Sequence, residues 1–397
     1  MIDPFTPEAL EDPYPLYERL RRHAPVHQLD RTGIWLVSRH DDLVEAAGKP
    51  EIFSSHISAI VYAGQGTNPT VIPADPDAIG AVDVLATQDP PSHTLQRRLV
   101  SRALNNAAIA ALEPGIRAFV DDALAPALRD GRIGWMSSVA NPLPVTVITT
   151  LLGLPPEDRP KVKEWADAGI DLLSGVAPPE RLAEAWAQMV EFLAYLRARL
   201  ADPASDSVTA DIAAAVARED LSEREGMSVM LQLVVAGSES TASLIGSAAR
   251  ILATQPDLQR RMRTEPERLP VFLEEALRVE SPFRGHFRVT TQATTLGGIE
   301  IPEGARVMLL WASANHDPSA FAQPAKVDPD REQPRAHVGF GSGIHFCIGA
   351  PLARLEARVA VGALLERTAW FEQSGEPRHV PSVFVRRLEQ LDLSLKT

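Results

Sequence analysis

The chain has 397 residues, 45% of them apolar, which is ample for a sizeable core in one large domain or two small ones. Its 52 acidic against 39 basic residues leave a formal charge of −13, which argues against broad nucleic-acid binding. The single cysteine rules out an internal disulfide, and a zinc site would have to draw its other ligands from other residue types.

In chain order, the N-terminal Met-Ile-Asp-Pro-Phe-Thr-Pro has neither a basic nor an apolar segment, so no signal peptide is expected. A short strand region is expected at Val26–Val37. Ser54–Ala86 is rich in Gly and Pro and weakly periodic, which predicts a long surface loop with a functional role. Asp89-Pro-Pro-Ser-His-Thr-Leu-Gln-Arg-Arg98 reads as a turn entering a helix. The most apolar run, Pro144–Leu154, is short and interrupted by threonines. No run approaches the roughly 18 apolar residues of a spanning helix, so a soluble cytoplasmic protein without a membrane partner is expected.

Ser222-Glu-Arg-Glu225 is a capping box opening the longest helix, which continues through Met227–Thr254 and stops before Pro256. Such a helix, at ~1.5 Å per residue, crosses the full thickness of a domain. Strands are expected again around Ala293–Leu310, with a hairpin turn at Gly297-Gly298. A last helix is read at Ala350–Val359, where Pro351 suits the first turn. No repeat or low-complexity linker divides the chain. The expected architecture is one domain, 1–397, mainly α with small β-sheets.

The lone thiol, Cys347, lies in Phe340-Gly-Ser-Gly-Ile-His-Phe-Cys-Ile-Gly349. A free cysteine is by default a small buried hydrophobe. Here three glycines surround it, and it sits just ahead of a helix N-terminus, whose free N–H groups favour a thiolate. A glycine loop delivering a thiolate from a helix start is a sound axial ligand for haem iron.

The spacing Phe340-x-x-Gly343-x-His345-x-Cys347-x-Gly349 resembles the haem-binding loop of the cytochrome P450 family. That resemblance implies the family's fold, with haem b between the long central helix and the cysteine loop. It implies Cys347 as the iron ligand, Phe340 shielding the sulfur, His345 bonding a haem propionate, and Gly349 completing the loop.

Three other segments carry the same resemblance. Ala236-Gly-Ser-Glu-Ser-Thr241 alone would read as a helix-packing seam. An acid beside a hydroxyl in a buried helix, however, is costly unless both are hydrogen-bonded. The family's oxygen-activation motif puts Glu239 at the acid and Ser240 at the alcohol position, where threonine is usual. Ala236 and Gly237 would leave room above the haem, and Thr241 is the weaker substitute alcohol. Leu273-Glu-Glu-Ala-Leu-Arg278 alone is a common i,i+3 pair. In the family, Glu275 and Arg278 pair with an arginine before the haem loop, here Arg331, in a structural role. His93 and Arg97 stand at i,i+4 and alone read as a solvated basic turn. By resemblance they bind haem propionates, as does Arg288.

The resemblance implies a haem-thiolate monooxygenase that oxidises a hydrophobic small molecule with electrons from a separate ferredoxin or flavodoxin-like donor. A basic patch of Arg354, Arg358, Arg98 and Arg102 would dock an acidic partner. Family position places the pocket along Ile60–Gly66, with Tyr62, and along Leu172–Val176, with Leu173. Leu233, Ala236, Ser240 and Phe283–Phe287 complete it, and Arg284 and His286 are the candidate polar anchors. A monomer is expected. The alternatives are a peroxide-using haem-thiolate enzyme, which the Glu239-Ser240 pair argues against, and a non-catalytic haem-binding module.

Overall fold

The capping box read at Ser222 forms. In the computed structural model, which describes residues 2–56, 59–63, 69–73 and 81–397, Ser222 Oγ accepts from the Glu225 N–H at 3.2 Å. The Glu225 carboxylate accepts from the Ser222 N–H at 2.8 Å. Two of the orphan donors at the helix start are thereby satisfied.

The helices that position the site are, in chain order, α1 (Ser92–Ala103), α2 (Glu113–Asp130), α3 (Pro142–Leu152), α4 (Arg159–Leu173) and α5 (Pro179–Ala201). They are followed by α6 (Glu223–Thr254), α7 (Leu269–Val279), α8 (Trp311–Ala314) and α9 (Ala350–Arg367). The 32-residue α6 runs through the middle, packed against α3, α4, α5, α7 and α9. One apolar cluster joins α6 to α2, α7 and α9, and another joins its first half to α3, α4 and α5. Each fully buried Leu, Ile or Val contributes about 1.5–3 kcal/mol. Inside the first cluster, the buried Trp135 indole donates to the Ile245 carbonyl at 3.2 Å and fixes the helix in place.

Counting runs of apolar residues missed one property of α6. Among the described residues it is the helix long and apolar enough to cross a membrane. The reason is burial: 67% of its most apolar window is covered by the rest of the protein.

The strands are β1 (Val26–Gln28), β2 (Trp35–Val37), β3 (Phe53–Ser54), β4 (Ala59–Tyr62), β5 (Thr70–Pro73) and β6 (Arg132–Gly134). They continue with β7 (His286–Thr290), β8 (Thr294–Leu296), β9 (Ile299–Ile301), β10 (Arg306–Leu309), β11 (Trp370–His379) and β12 (Leu388–Lys396). A five-stranded sheet runs β1-β2-β10-β7-β3, with β2 and β10 parallel and the other neighbours antiparallel. A second sheet is β11-β12-β6. The strand regions expected at Val26–Val37 and Ala293–Leu310 are present, and Gly297-Gly298 turns the β8–β9 hairpin with both glycines at positive φ.

The expected loop Ser54–Ala86 is corrected in part, because β4 and β5 pair as an antiparallel hairpin from Ala59↔Pro73 to Tyr62↔Thr70. Strands of four residues separated by Gly, Asn and Pro carry too little periodicity to be read. Residues 64–66 of the expected pocket segment, and the side chain of Ile60, lie outside the described residues.

Candidate active site

The cysteine loop is built from backbone conformations that only glycine takes easily. Gly343 has φ +70°, and a Cβ there would stand 2.3 Å from the Ala47 carbonyl oxygen. The close approach pins the loop against the 40–47 helix. The Cys347 N–H donates to the Phe340 carbonyl at 2.8 Å, closing the loop ahead of α9. Burial pushes the Cys347 thiol above its ordinary value, while the N–H groups of Gly349 and Ala350 and the charges of Arg97 and Arg354 pull it down. A coordinated metal cation would deprotonate such a thiol outright. The Arg354 guanidinium stacks over Phe340 with 4.5 Å to the ring centroid, and Phe340 packs 6.2 Å from Phe346.

His93, Arg97, Arg288 and His345 converge beside this loop. The rings of His93 and His345 lie 4.4 Å apart. Burial, then the charges of Arg288, His93 and Arg97, pushes His345 down to about 3. Burial likewise pushes Arg288 down to about 10, opposed only by Asp89. Arg97 donates to the Phe346 carbonyl at 2.6 Å, and Arg288 to the Phe287 carbonyl at 2.7 Å. His345 Nδ1 is buried with no hydrogen-bond partner. An orphaned ring nitrogen among cations is the environment an anionic group requires.

The helix α6 is buried along most of its length, yet Leu233, Gly237 and Ser240 are half-exposed and Ala236 is exposed. These are positions i, i+4, i+7 and i+3, one stripe of the helix. Ser240 Oγ donates to the Ala236 carbonyl at 2.7 Å, within that stripe. Thr241 is buried, about 100° further round.

Glu239 is 1% exposed and turned out of the stripe. Its Oε1 accepts from Lys163 of α4 at 3.3 Å, and its Oε2 lies 2.6 Å from Arg387 Nε without hydrogen-bond alignment. Lys163 also contacts Asp167, which is more open to solvent. Burial raises the Glu239 pKa, and Arg387 and Lys163 oppose it. No motif announces Lys163 or Arg387.

The described segments expected to line a pocket are tied together by backbone hydrogen bonds. The Ala63 N–H after β4 donates to the Gly175 carbonyl at 2.6 Å, and the Val383 N–H donates to the Ser174 carbonyl at 2.9 Å. This joins half-buried Tyr62 and half-buried Leu173 to the segment Val383–Val385. Phe283 bridges to Val385, and its ring lies 5.1 Å from Phe384 and 4.9 Å from His286. Phe384 also packs 5.3 Å from the His286 ring. His286 accepts from the Trp311 indole at Nδ1, 2.7 Å, and burial pushes it down to about 3, so it is a neutral ring with N–H at Nε2.

Arg284 is corrected as a polar anchor. Its guanidinium is 2% exposed and donates to the carbonyls of Ala9 at 2.7 Å, Leu10, and Val385 at 3.3 Å, so it ties three segments together and is closed to a ligand.

Glu275 and Arg278 are fully buried, as their 0% exposures show. Their pair is bidentate at 2.7 and 2.9 Å, and Arg331 Nε adds a third contact to Glu275 at 2.7 Å.

The expected basic patch is also corrected. Arg354 is held by Glu274 at 2.6 and 3.0 Å, and Arg358 by Glu113 at 2.9 Å. Arg98 and Arg102 are exposed and make no ion pair among the described residues. With His93, Thr94, Arg97, Ser101, Gly343 and Ile344 they line a cleft of about 620 Å³. Phe346, 41% exposed, lies on the same loop.

These donors fit a planar, dianionic cofactor whose metal takes one thiolate: a single half-buried sulfur and a cationic cluster around an orphaned ring nitrogen, with a part-exposed stripe of mostly small residues on α6. The class they define is a haem-thiolate protein. Comparison with known proteins agrees. A family model described as Cytochrome P450 matches residues 188–390. The chain is 40% identical over 398 aligned positions to Cytochrome P450 144 of Mycobacterium tuberculosis, covering 99% of this chain and 91% of that one. It is 33% identical to the cyclomarin C epoxidase CymV of Salinispora arenicola, covering 90% and 89%. Among solved structures it resembles cytochrome P450 CREJ in complex with (4-ethylphenyl) dihydrogen phosphate, with TM-score 0.91, 27% identity and 99% of both chains covered. It also resembles P450BioI in complex with an acyl carrier protein carrying hexadec-9Z-enoic acid, with TM-score 0.87, 27% identity, and 98% and 100% covered. The chain belongs to the cytochrome P450 family. It is a monooxygenase with haem b as cofactor, acting on a small molecule with the help of a redox partner.

Proposed function

We propose that this P450 oxidises a hydrophobic small molecule with electrons from a separate, acidic ferredoxin or flavodoxin-like protein, and that Cys347 supplies the thiolate. The observation that carries the reading is the convergence of His93, Arg97 and Arg288 on His345, whose Nδ1 is buried without a partner two residues before Cys347. Haem b, when bound, supplies the iron at which dioxygen is reduced and one oxygen atom is passed to substrate.

The chain's own groups do the rest. The Gly349 and Ala350 N–H groups oppose the effect of burial and would favour the thiolate once iron is bound. His93, Arg97, Arg288 and His345 hold the carboxylates of the cofactor. Ser240 turns its hydroxyl from the Ala236 carbonyl toward the stripe and donates a proton. Asp167, Lys163 and Glu239 form a polar chain from the surface to the middle of α6, which resupplies that proton. Phe283, Phe384, Tyr62 and Leu173 give the pocket an apolar, aromatic wall, which fits a hydrophobic substrate. Exposed Arg98 and Arg102 would meet an acidic electron donor.

The test is a screen of terpenoids, fatty acids, steroids and aromatic acids for ligand-induced haem spin-state shifts. Turnover of the hits follows, with NAD(P)H, ferredoxin reductase and ferredoxin or flavodoxin. Product formed with the donor supports the reading. Product formed only with peroxide, or no product from any spin-shifting ligand, rejects it.

A further inference from the structure

His345 Nδ1 is orphaned, but the other nitrogen of the same ring is not. Nε2 lies 2.9 Å from Ser55 Oγ, across 290 residues of sequence. Ser55 is 3% exposed and follows directly on β3, where Ser54 pairs with Val289, the residue after Arg288. Its place is fixed by Asp89. Asp89 Oδ1 accepts the Ser55 N–H at 3.0 Å, and Oδ2 accepts the neighbouring Ser54 hydroxyl. The Ser54 oxygen in turn accepts the His56 N–H at 3.2 Å. Both carboxylate oxygens of Asp89, the one acid acting on His93 and Arg288, are therefore spent on holding this short segment.

Among the described residues, the Ser55 hydroxyl has a single partner, the His345 ring. The bond made by one imidazole nitrogen decides what the other offers. With Ser55 O–H donating to Nε2, the ring proton sits on Nδ1, and the orphaned nitrogen becomes an aimed donor. We infer that Ser55, held by Asp89, is a positioning residue that sets His345 as an Nδ1–H donor to a haem propionate. The inference rests on the reading that His345 meets that carboxylate. It adds a residue outside every motif, from a segment whose spacing to the cysteine loop carries no signal.

The test is a double-mutant cycle on the holoprotein, with Ser55→Ala, His345→Ala and the combination. The readouts are the rate of haem transfer to apomyoglobin and the propionate-bending band in resonance Raman spectra. Ser55→Ala is expected to release haem about tenfold faster, the effect of one hydrogen bond of ~1.4 kcal/mol, and to shift the propionate band. In the His345→Ala background it is expected to change neither readout, because the ring it orients is gone. A Ser55→Ala effect of equal size in both backgrounds overturns the inference, since Ser55 would then act through the fold. A Ser55→Ala protein that matches wild type while His345→Ala releases haem faster overturns the inference alone. A His345→Ala protein with unchanged haem release and band rejects the assignment of His345 itself, and the inference with it.

Discussion

Glu275→Gln removes one charge from a place where four donors depend on it. Oε1 accepts from Arg278 Nε and Arg331 Nε, both at 2.7 Å, and Oε2 accepts from Arg278 Nη2 at 2.9 Å and the Asp328 N–H at 3.0 Å. A glutamine can present its oxygen to one of these pairs only. Its NH₂ then meets two donors, and the fully buried Arg278 is left without a counter-charge. Breaking a buried pair in this way costs about 3–5 kcal/mol, against total stabilities of about 5–15 kcal/mol. Arg278 retains its bonds to the carbonyls of Asn315, Pro324 and Lys326, which places the expected loss near 3 kcal/mol, the lower end of that range. Arg331→Ala leaves the bidentate pair intact and is expected to cost about half as much. The assay is urea unfolding of the holoprotein, followed by far-ultraviolet circular dichroism and the Soret band. The Soret change is expected to precede the loss of helix, because Arg331 and Asp328 lie in the segment leading to the haem loop. A Glu275→Gln protein within about 1 kcal/mol of wild type would refute the reasoning.

Other expectations follow from single sites. Gly343→Ala forces a side chain onto a φ of +70° and into the Ala47 carbonyl, so haem content should fall severalfold, read by pyridine haemochromogen. Glu239→Gln should slow substrate oxidation about tenfold or more and divert electrons to peroxide and water, with spin-state titrations unchanged; an unchanged rate and coupling removes it from proton delivery. Arg98→Glu with Arg102→Glu should raise the donor concentration needed for half-maximal rate at least about fivefold, less so in high salt. Stability should fall with acid. Burial lowers His316 to about 4, and in Glu274 the hydrogen bonds of His337 and Arg354 outweigh burial and lower it to about 2. In both cases the unfolded chain binds the extra proton first. Their contribution is whole above pH 6.5, and is lost as pH falls from 6.5 through 4 for His316 and from 4.5 through 2 for Glu274. Urea midpoints from pH 8 to pH 2 check this, and a flat profile contradicts it.

The parts of the site that the sequence made legible are those whose chemistry sits in one short segment. The cysteine loop needs glycines at fixed offsets, α6 announces itself with a capping box and an unbroken apolar pattern, and Glu275 and Arg278 lie one turn apart. What stayed hidden is set by distant pairing. Arg354 and Arg358 read as a free basic face, yet Glu274 and Glu113 come from other helices to neutralise them. Arg284 reads as a ligand anchor, yet it spends its donors on carbonyls of the N- and C-terminal segments. Phe384, Arg387 and Lys163 have no motif at all, because a C-terminal loop and α4 meet α6 only in three dimensions.

The role of Cys347 is tested most directly by iron K-edge X-ray absorption on the purified holoprotein. One sulfur in the coordination shell of the iron is expected in wild type. Cys347→Ser is expected to lose that sulfur, together with the ferrous carbon monoxide spectrum of thiolate-ligated haem. A wild-type shell without sulfur, or a sulfur that persists in the variant, would contradict the account.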